Sequence, residues 1–367
     1  MVSRQSLSRL VLQSSRIGIY YSIAALVAAL YIVTEGLALV HAKLMIFGVL
    51  PVFVVSVAMA YGVSGLRQTD PLYAATASLA LAAPIVAVAL SATSVALSRA
   101  LPLAAALLYS FVPLAMGSLA SRAKPDVRLS VGLLGLSLLL GGVELLAVRA
   151  GFFVRALLLL EVSVLGAIYA VSIHAFPSTF GDSPSTILSA ATFALLAAGL
   201  ALAIGGRARA GVLVAGVPTI TYLLAMRFER IGSYFTKASQ TRNPVARAGT
   251  LYFVDGHAFA AAFSAASFAA VVLWYFGVLT TLDVIHLLAI GLIGTYIFVH
   301  APMMLPVILR WSSARRYNLT PYALLAVGAA LWPVNMHVSF FFVGLAIVFL
   351  ALIVKPSKHP YPLWLGE

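Results

Sequence analysis

Apolar stretches long enough to cross a bilayer follow one another along almost the whole 367-residue chain. A bilayer core is about 30 Å thick and takes about 20 apolar residues of α-helix per crossing. Runs punctuated by Gly, Pro and charge lie at 17–40, 44–64, 73–97, 101–119, 129–148, 151–173, 186–205, 211–227, 257–279, 283–308, 321–335 and 337–354. They predict an all-α fold, a polytopic transmembrane helical bundle of about twelve spanning helices. With 62% hydrophobic and 9% charged residues, a soluble fold has too few polar groups to cover its surface. Residues 1–367 therefore read as a single transmembrane domain, with a terminal segment at 1–16, a long loop at 228–256 and a tail at 355–367.

Charge sets the expected orientation. With the N-terminus inside, Arg4, Arg9, Arg16, Arg67, Arg122, Lys124, Arg128, Arg227, Arg230, Lys237, Arg242, Arg247, Arg310, Arg315, Arg316, Lys355 and Lys358 fall in the cytoplasm, seventeen of the 23 Lys and Arg residues. Only Lys43, Arg99, Arg149, Arg155, Arg207 and Arg209 fall at the outer face. This asymmetry is the positive-inside pattern of a plasma-membrane protein with both termini cytoplasmic. It also accounts for the net charge of +13 without a nucleic-acid partner, which would require a clustered basic face on a soluble domain. The basic 228–256 loop reads as one that faces anionic membrane lipids. Ser183-Pro184 reads as the N-cap and first residue of the seventh span.

The chain has no Cys, so any metal must be held by His, Met, Tyr or carboxylates. Scarce Asn, Gln and Cys also fit a thermophile. Ionisable groups inside a span are functional candidates because lipid makes them costly. Glu161 lies mid-span and is either a proton or ligand site or a partner of Arg155; Glu35 and Glu144 read as near-interfacial.

The histidines cluster at two depths. His41, His286 and His337 fall at outer helix ends, His174 and His257 at inner ends, His300 in the inner half, and His359 in the tail. His286 and His300 are 14 residues apart, about 21 Å along a helix axis and close to four full turns, so they share a helix face. At His300-Ala301-Pro302-Met303-Met304-Leu305-Pro306, each Pro frees a carbonyl four residues earlier and kinks the helix. A freed carbonyl beside a His suits a buried polar site, and the Met pair could add soft ligands. His300 with His257 or His174 is the expected inner metal site, with copper as a candidate ion.

Two segments carry a family resemblance. His41-Ala42-Lys43-Leu44-Met45-Ile46-Phe47-Gly48 resembles the start of the second helix in the C-family haem-copper oxidase catalytic subunit. His286-Leu287-Leu288-Ala289-Ile290-Gly291-Leu292-Ile293-Gly294 is similar to the tenth helix of NnrS-type proteins, twelve-span haem- and copper-containing relatives of that subunit linked to nitric-oxide metabolism. The resemblance implies that His41 and His286 are axial ligands of one low-spin haem b near the outer face. Gly48, Gly291 and Gly294 would then make room for the macrocycle, and Lys43, Arg149 and Arg155 would pair with its propionates. The chain departs from the oxidase in having no His-His pair, which that enzyme needs for its copper centre, so oxygen reduction is not implied.

The expected function is that of a haem b membrane protein in electron transfer or nitric-oxide handling, with a redox partner or respiratory-complex subunits around it. The competing classes are a twelve-span secondary transporter and a structural subunit of a respiratory complex. The loop after span 2, Gly65-Leu66-Arg67-Gln68-Thr69-Asp70-Pro71, lacks the Gly/Asp/Arg-rich pattern of major-facilitator transporters.

Overall fold

A run of apolar residues in lipid must satisfy its own backbone, and the helix does so within one segment. The computed structural model describes residues 4–64, 116–117, 119–121, 123, 125–309, 311–313 and 318–356. Its helices are α1 (Arg4–Thr34), α2 (Ala38–Lys43, Leu44–Val49 and Leu50–Ser64), α3 (Pro125–Ala147), α4 (Phe152–Leu159, Leu160–Leu165 and Gly166–Thr179), α5 (Thr186–Ile204) and α6 (Ala208–Gly216 and Pro218–Ala225). They continue with α7 (Ile231–Ser239), α8 (Pro244–Tyr275), α9 (Thr281–His286, Leu287–Ile293 and Gly294–Leu309), α10 (Thr320–Leu331) and α11 (Met336–Ile353). The middle segments of α2, α4 and α9 are π-helical. A short antiparallel pair joins Trp311–Ser313 to Val354–Pro356.

Among the described residues nine helices are long and apolar enough to cross a membrane, and Thr320–Leu331 is a shorter apolar helix. This is a polytopic helical membrane fold. The expected spans at 73–97 and most of 101–119 lie outside the described residues, as does His359.

The chain divides into two compact units, Met1–Val171 with Ala203–Gly206, and Ser172–Leu202 with Arg207–Glu367. In the first, α1 ends at Gly36, whose positive φ of 76° lets the Gly36 and Leu37 N–H groups bond back to Val33 and Ile32. Glu35 is left exposed in that turn. Gly141 of α3 lies against Ser163 of α4, where an added Cβ would sit 2.7 Å from the Ser side chain. Close approach of this kind, through small residues, is how helices associate without a hydrophobic driving force.

Arg155 pairs with Glu144 rather than with Glu161. Its Nε lies 3.5 Å from the Glu144 carboxylate and its Nη2 donates to the Leu145 carbonyl at 2.7 Å. Glu144 is fully enclosed, whereas the sequence reading places it at the interface. Helix rotation turns it inward against α4. Arg155→Ala is therefore expected to cost about 3 kcal/mol, since removing one partner of a buried pair strands the other charge. The quarter exposure of the guanidinium keeps the loss at the lower end. A thermal melt in detergent measures it, and adding Glu144→Gln should restore most of the stability.

In the second unit, the 228–256 segment is mostly helical. Asn243 caps α8 by accepting from the Val245 and Ala246 N–H groups at 2.9 and 3.2 Å, with Pro244 at the first turn. The ninth span therefore begins thirteen residues before the expected 257. Arg230 and Lys237 do not extend only toward lipid: Asp182 takes both, at 3.2 and 3.9 Å. The cap of α5 is Ser185, whose Oγ accepts from Leu188 N–H at 3.4 Å, two residues beyond the expected Ser183.

Candidate functional site

Buried His257 and half-buried His300 of the second unit belong to α8 and α9, which pack along each other. α8 ends at Gly277, whose φ of 81° allows the Gly277 and Val278 N–H groups to close onto Trp274 and Leu273. Arg209, at the start of α6, donates to the last carbonyls of α8, Trp274 and Tyr275, at 2.8 and 3.0 Å. A capping box between Thr280 and Asp283 then starts α9.

These features align His257 of α8 with His300 of α9. Their ring centroids are 5.6 Å apart with the planes at 72°. His257 Nδ1 lies 2.8 Å from the Phe253 carbonyl, and His300 Nδ1 lies 3.0 Å from that of Tyr296. A carbonyl only accepts, so each Nδ1 carries a proton, and in the neutral ring each Nε2 then presents a lone pair. Both Nε2 atoms are buried and have no hydrogen-bond partner among the described residues. Such orphans call for a ligand, since a buried unpaired acceptor costs about 1–3 kcal/mol.

Aromatic rings hold the pair. Phe176 stacks on His257 at 4.2 Å and Phe253 meets it edge-on at 4.4 Å. Tyr296 lies along His300, and its hydroxyl bonds that of Tyr222, which in turn bonds Ser264. Pro302 removes one α9 hydrogen bond, and the carbonyl it frees, Phe298, accepts from Tyr252 Oη at 3.3 Å. Gly256 admits Tyr322: an added Cβ would lie 2.4 Å from the Tyr322 hydroxyl and from Val299. The Tyr322 ring lies 4.8 Å from that of Tyr252.

The donor set fits a single transition-metal ion. Two imidazoles bound through Nε2 at about 2 Å to one ion have ring centroids about 5–6.5 Å apart, which includes the observed separation. Among the described residues no group of three or more His, Cys, Asp or Glu gathers, and the donors described are the two imidazoles. Both donors are neutral, and no carboxylate is bonded to them. In a low-dielectric interior such ligands suit a singly charged ion, and imidazole is a good donor to copper.

The other expected residues are distributed as follows. His174 is half-buried in α4 of the second unit. Met304 is half-buried in α9. His41 and His286 belong to different units. His41 Nδ1 bonds the Ala29 carbonyl at 2.8 Å, and His286 Nδ1 bonds that of Leu282 at 2.8 Å. In both, Nδ1 is therefore the protonated nitrogen and Nε2 the ligand-type nitrogen. The His286 ring stacks on Trp332 with centroids 3.4 Å apart. Lys43 is half-buried at the end of the first segment of α2, Gly48 is buried in the π segment that follows, and Arg149 is exposed between α3 and α4. Arg155 has its partners in Glu144 and Leu145.

Space beside the expected haem glycines is uneven. A Cβ on Gly291 would meet the Phe263 ring at 2.5 Å, so that side is already filled, whereas Gly294 would make only ordinary contacts with Leu325. Tyr222, Tyr252, Tyr296, Tyr322, Ser264 and Gly256 were not among the residues singled out from sequence. The one available signal was Pro302: a carbonyl freed at membrane depth needs a donor from a neighbouring helix.

Fold and site together define a class, a polytopic helical membrane protein with a buried imidazole and tyrosine cluster in its second unit. No protein-family model and no curated protein matches the sequence.

Proposed function

We propose that the chain is a metal-carrying membrane protein acting in electron transfer or in the handling of a diatomic gas such as nitric oxide, with copper held by His257 and His300. The observation that carries this reading is the pair of buried, unpartnered Nε2 atoms, each oriented by its Nδ1–H bond to a carbonyl. When bound, copper supplies one-electron chemistry and an open position for a small neutral ligand. The residues do the rest: Phe176 and Phe253 exclude water, and the Tyr296, Tyr222 and Ser264 chain can hold a proton beside the pair. The test is a metal analysis of the purified protein with a reduced-minus-oxidised spectrum. Stoichiometric copper supports the reading, and protein free of metal after reconstitution with Cu(I) overturns it.

A haem b on His41 and His286 is the second reading, favoured by one shared feature. Each has its Nδ1 bonded to a backbone carbonyl and lies within three residues of a π-helical segment, and such segments concentrate at functional sites. A b-type α-band in the same spectrum supports it. Loss of that band in both His41→Ala and His286→Ala assigns the ligands, and an unchanged band in both removes them. Neither metal nor haem would favour the transporter or the structural subunit.

The proposed site of action is the plasma membrane with both termini cytoplasmic, supported by the distribution of Lys and Arg. A Cys introduced at Ser239, the exposed last residue of α7, should resist an impermeant thiol reagent added outside intact cells. Efficient labelling there would invert the topology.

A further inference from the structure

The first unit contains a second buried ionisable group that the metal reading does not use. Glu161 lies in the π-helical segment Leu160–Leu165 of α4 and is only 1% exposed. Neither of its carboxyl oxygens has a hydrogen-bond partner. An ionised carboxylate can accept about four hydrogen bonds, and the described residues supply none of them.

The charged side chains described on the elements packed against this segment have bonds elsewhere. Arg155, on the first segment of α4, holds Glu144 and the Leu145 carbonyl. On α3, Glu144 faces that same Arg155, and Arg128, near its start, donates to the Ala123 carbonyl at 3.5 Å. Tyr61, in the last segment of α2, bonds Ser130 at 3.1 Å. Thus no described cation reaches Glu161.

We propose that Glu161 is a membrane-embedded proton-binding site that exchanges its proton with solution. A bare carboxylate in a lipid-like interior is costly, and no described side chain compensates this one. A metal cation would ask for several further oxygen ligands, and no group of three or more acidic or imidazole side chains gathers among the described residues. A proton asks for none. The π-helical turn strengthens the assignment, because its extra residue alters the aim of a side chain and such turns concentrate where a helix does chemistry. Across the segment, Gly141 admits Ser163 at a distance no larger residue would permit, so the turn is held firmly against α3.

The experiment uses the full chain in native membranes treated with dicyclohexylcarbodiimide, which modifies protonated carboxyls in apolar surroundings. Modified peptides are located by mass spectrometry, and infrared difference spectra are recorded on the same protein. The expected result is modification of Glu161, falling by on the order of tenfold per pH unit above its titration point and unaffected by Na⁺ or Li⁺. Where the reagent fails to reach Glu161, a protonated-carboxyl stretch that titrates with pH and is absent from Glu161→Gln supports the site equally. Protection by Na⁺ or Li⁺ would show a cation site and overturn the proposal. So would modification independent of pH, or the absence of both the label and a titrating carboxyl band.

Discussion

His257→Ala and His300→Ala are each expected to abolish stoichiometric copper binding, with a loss of affinity beyond the 10–100-fold that is typical even for outer-shell partners of a metal site. Each His supplies one of the two protein donors, and a neutral aromatic pocket offers no substitute. His257→Ala also deletes a ring packed on Phe176 and Phe253, a loss of about 3–5 kcal/mol by analogy with Phe→Ala, so metal content and stability must be separated. His257→Phe does so. It retains the ring and removes the orphaned Nε2, which on its own should raise apo-protein stability by about 1–3 kcal/mol. The expected outcome is a variant that folds and melts at or above the apo wild type, yet carries no copper and gains nothing from added Cu(I). If it instead keeps wild-type copper content, His257 is not a ligand.

A second large effect on stability is expected at Gly199. A Cβ there would lie 2.6 Å from the Gly211 carbonyl oxygen and 2.8 Å from both the backbone nitrogen and the Cβ of Ala215. None of these atoms is the end of a flexible side chain, so α5 and α6 must separate. Gly199→Ala should therefore cost about 1–3 kcal/mol, and Gly199→Leu should cost more and sharply lower the yield of monodisperse protein. Gly232 provides the control. It lies in exposed α7, and an added Cβ meets nothing within 4 Å, so Gly232→Ala should raise stability by up to about 1 kcal/mol through helix propensity. Thermal melts followed by size-exclusion chromatography in detergent read both. A neutral Gly199→Leu would mean that α5 and α6 do not pack as described.

Some of the local architecture was legible one residue type at a time. Pro302 announced a freed carbonyl, and Tyr252 proved to be its donor. The run around Asn243-Pro244 contained the cap of α8, but the polar residues that follow it read as loop, so the helix start was placed too late. His257 and His300 were expected in the same half of the membrane, and the structure brings their rings within 5.6 Å of each other. Glu144 shows the limit. Its depth suggested an interface, and only the rotation of α3 against α4 turned it toward Arg155.

The sequence by itself therefore determined the all-helical membrane class, the approximate ends of most spans and the short list of polar residues that lipid would not tolerate unpaired. These follow from hydropathy, length and Pro, Gly or cap chemistry, all of which act within a few residues of chain. The tertiary structure alone decided that His257 meets His300, that Arg155 meets Glu144 and that Glu161 meets no described partner. A helix that is apolar on every side carries little periodic signal for which face turns inward. Side-chain packing and small-residue contacts such as Gly141 with Ser163 set that rotation, and they exist only once the helices have come together.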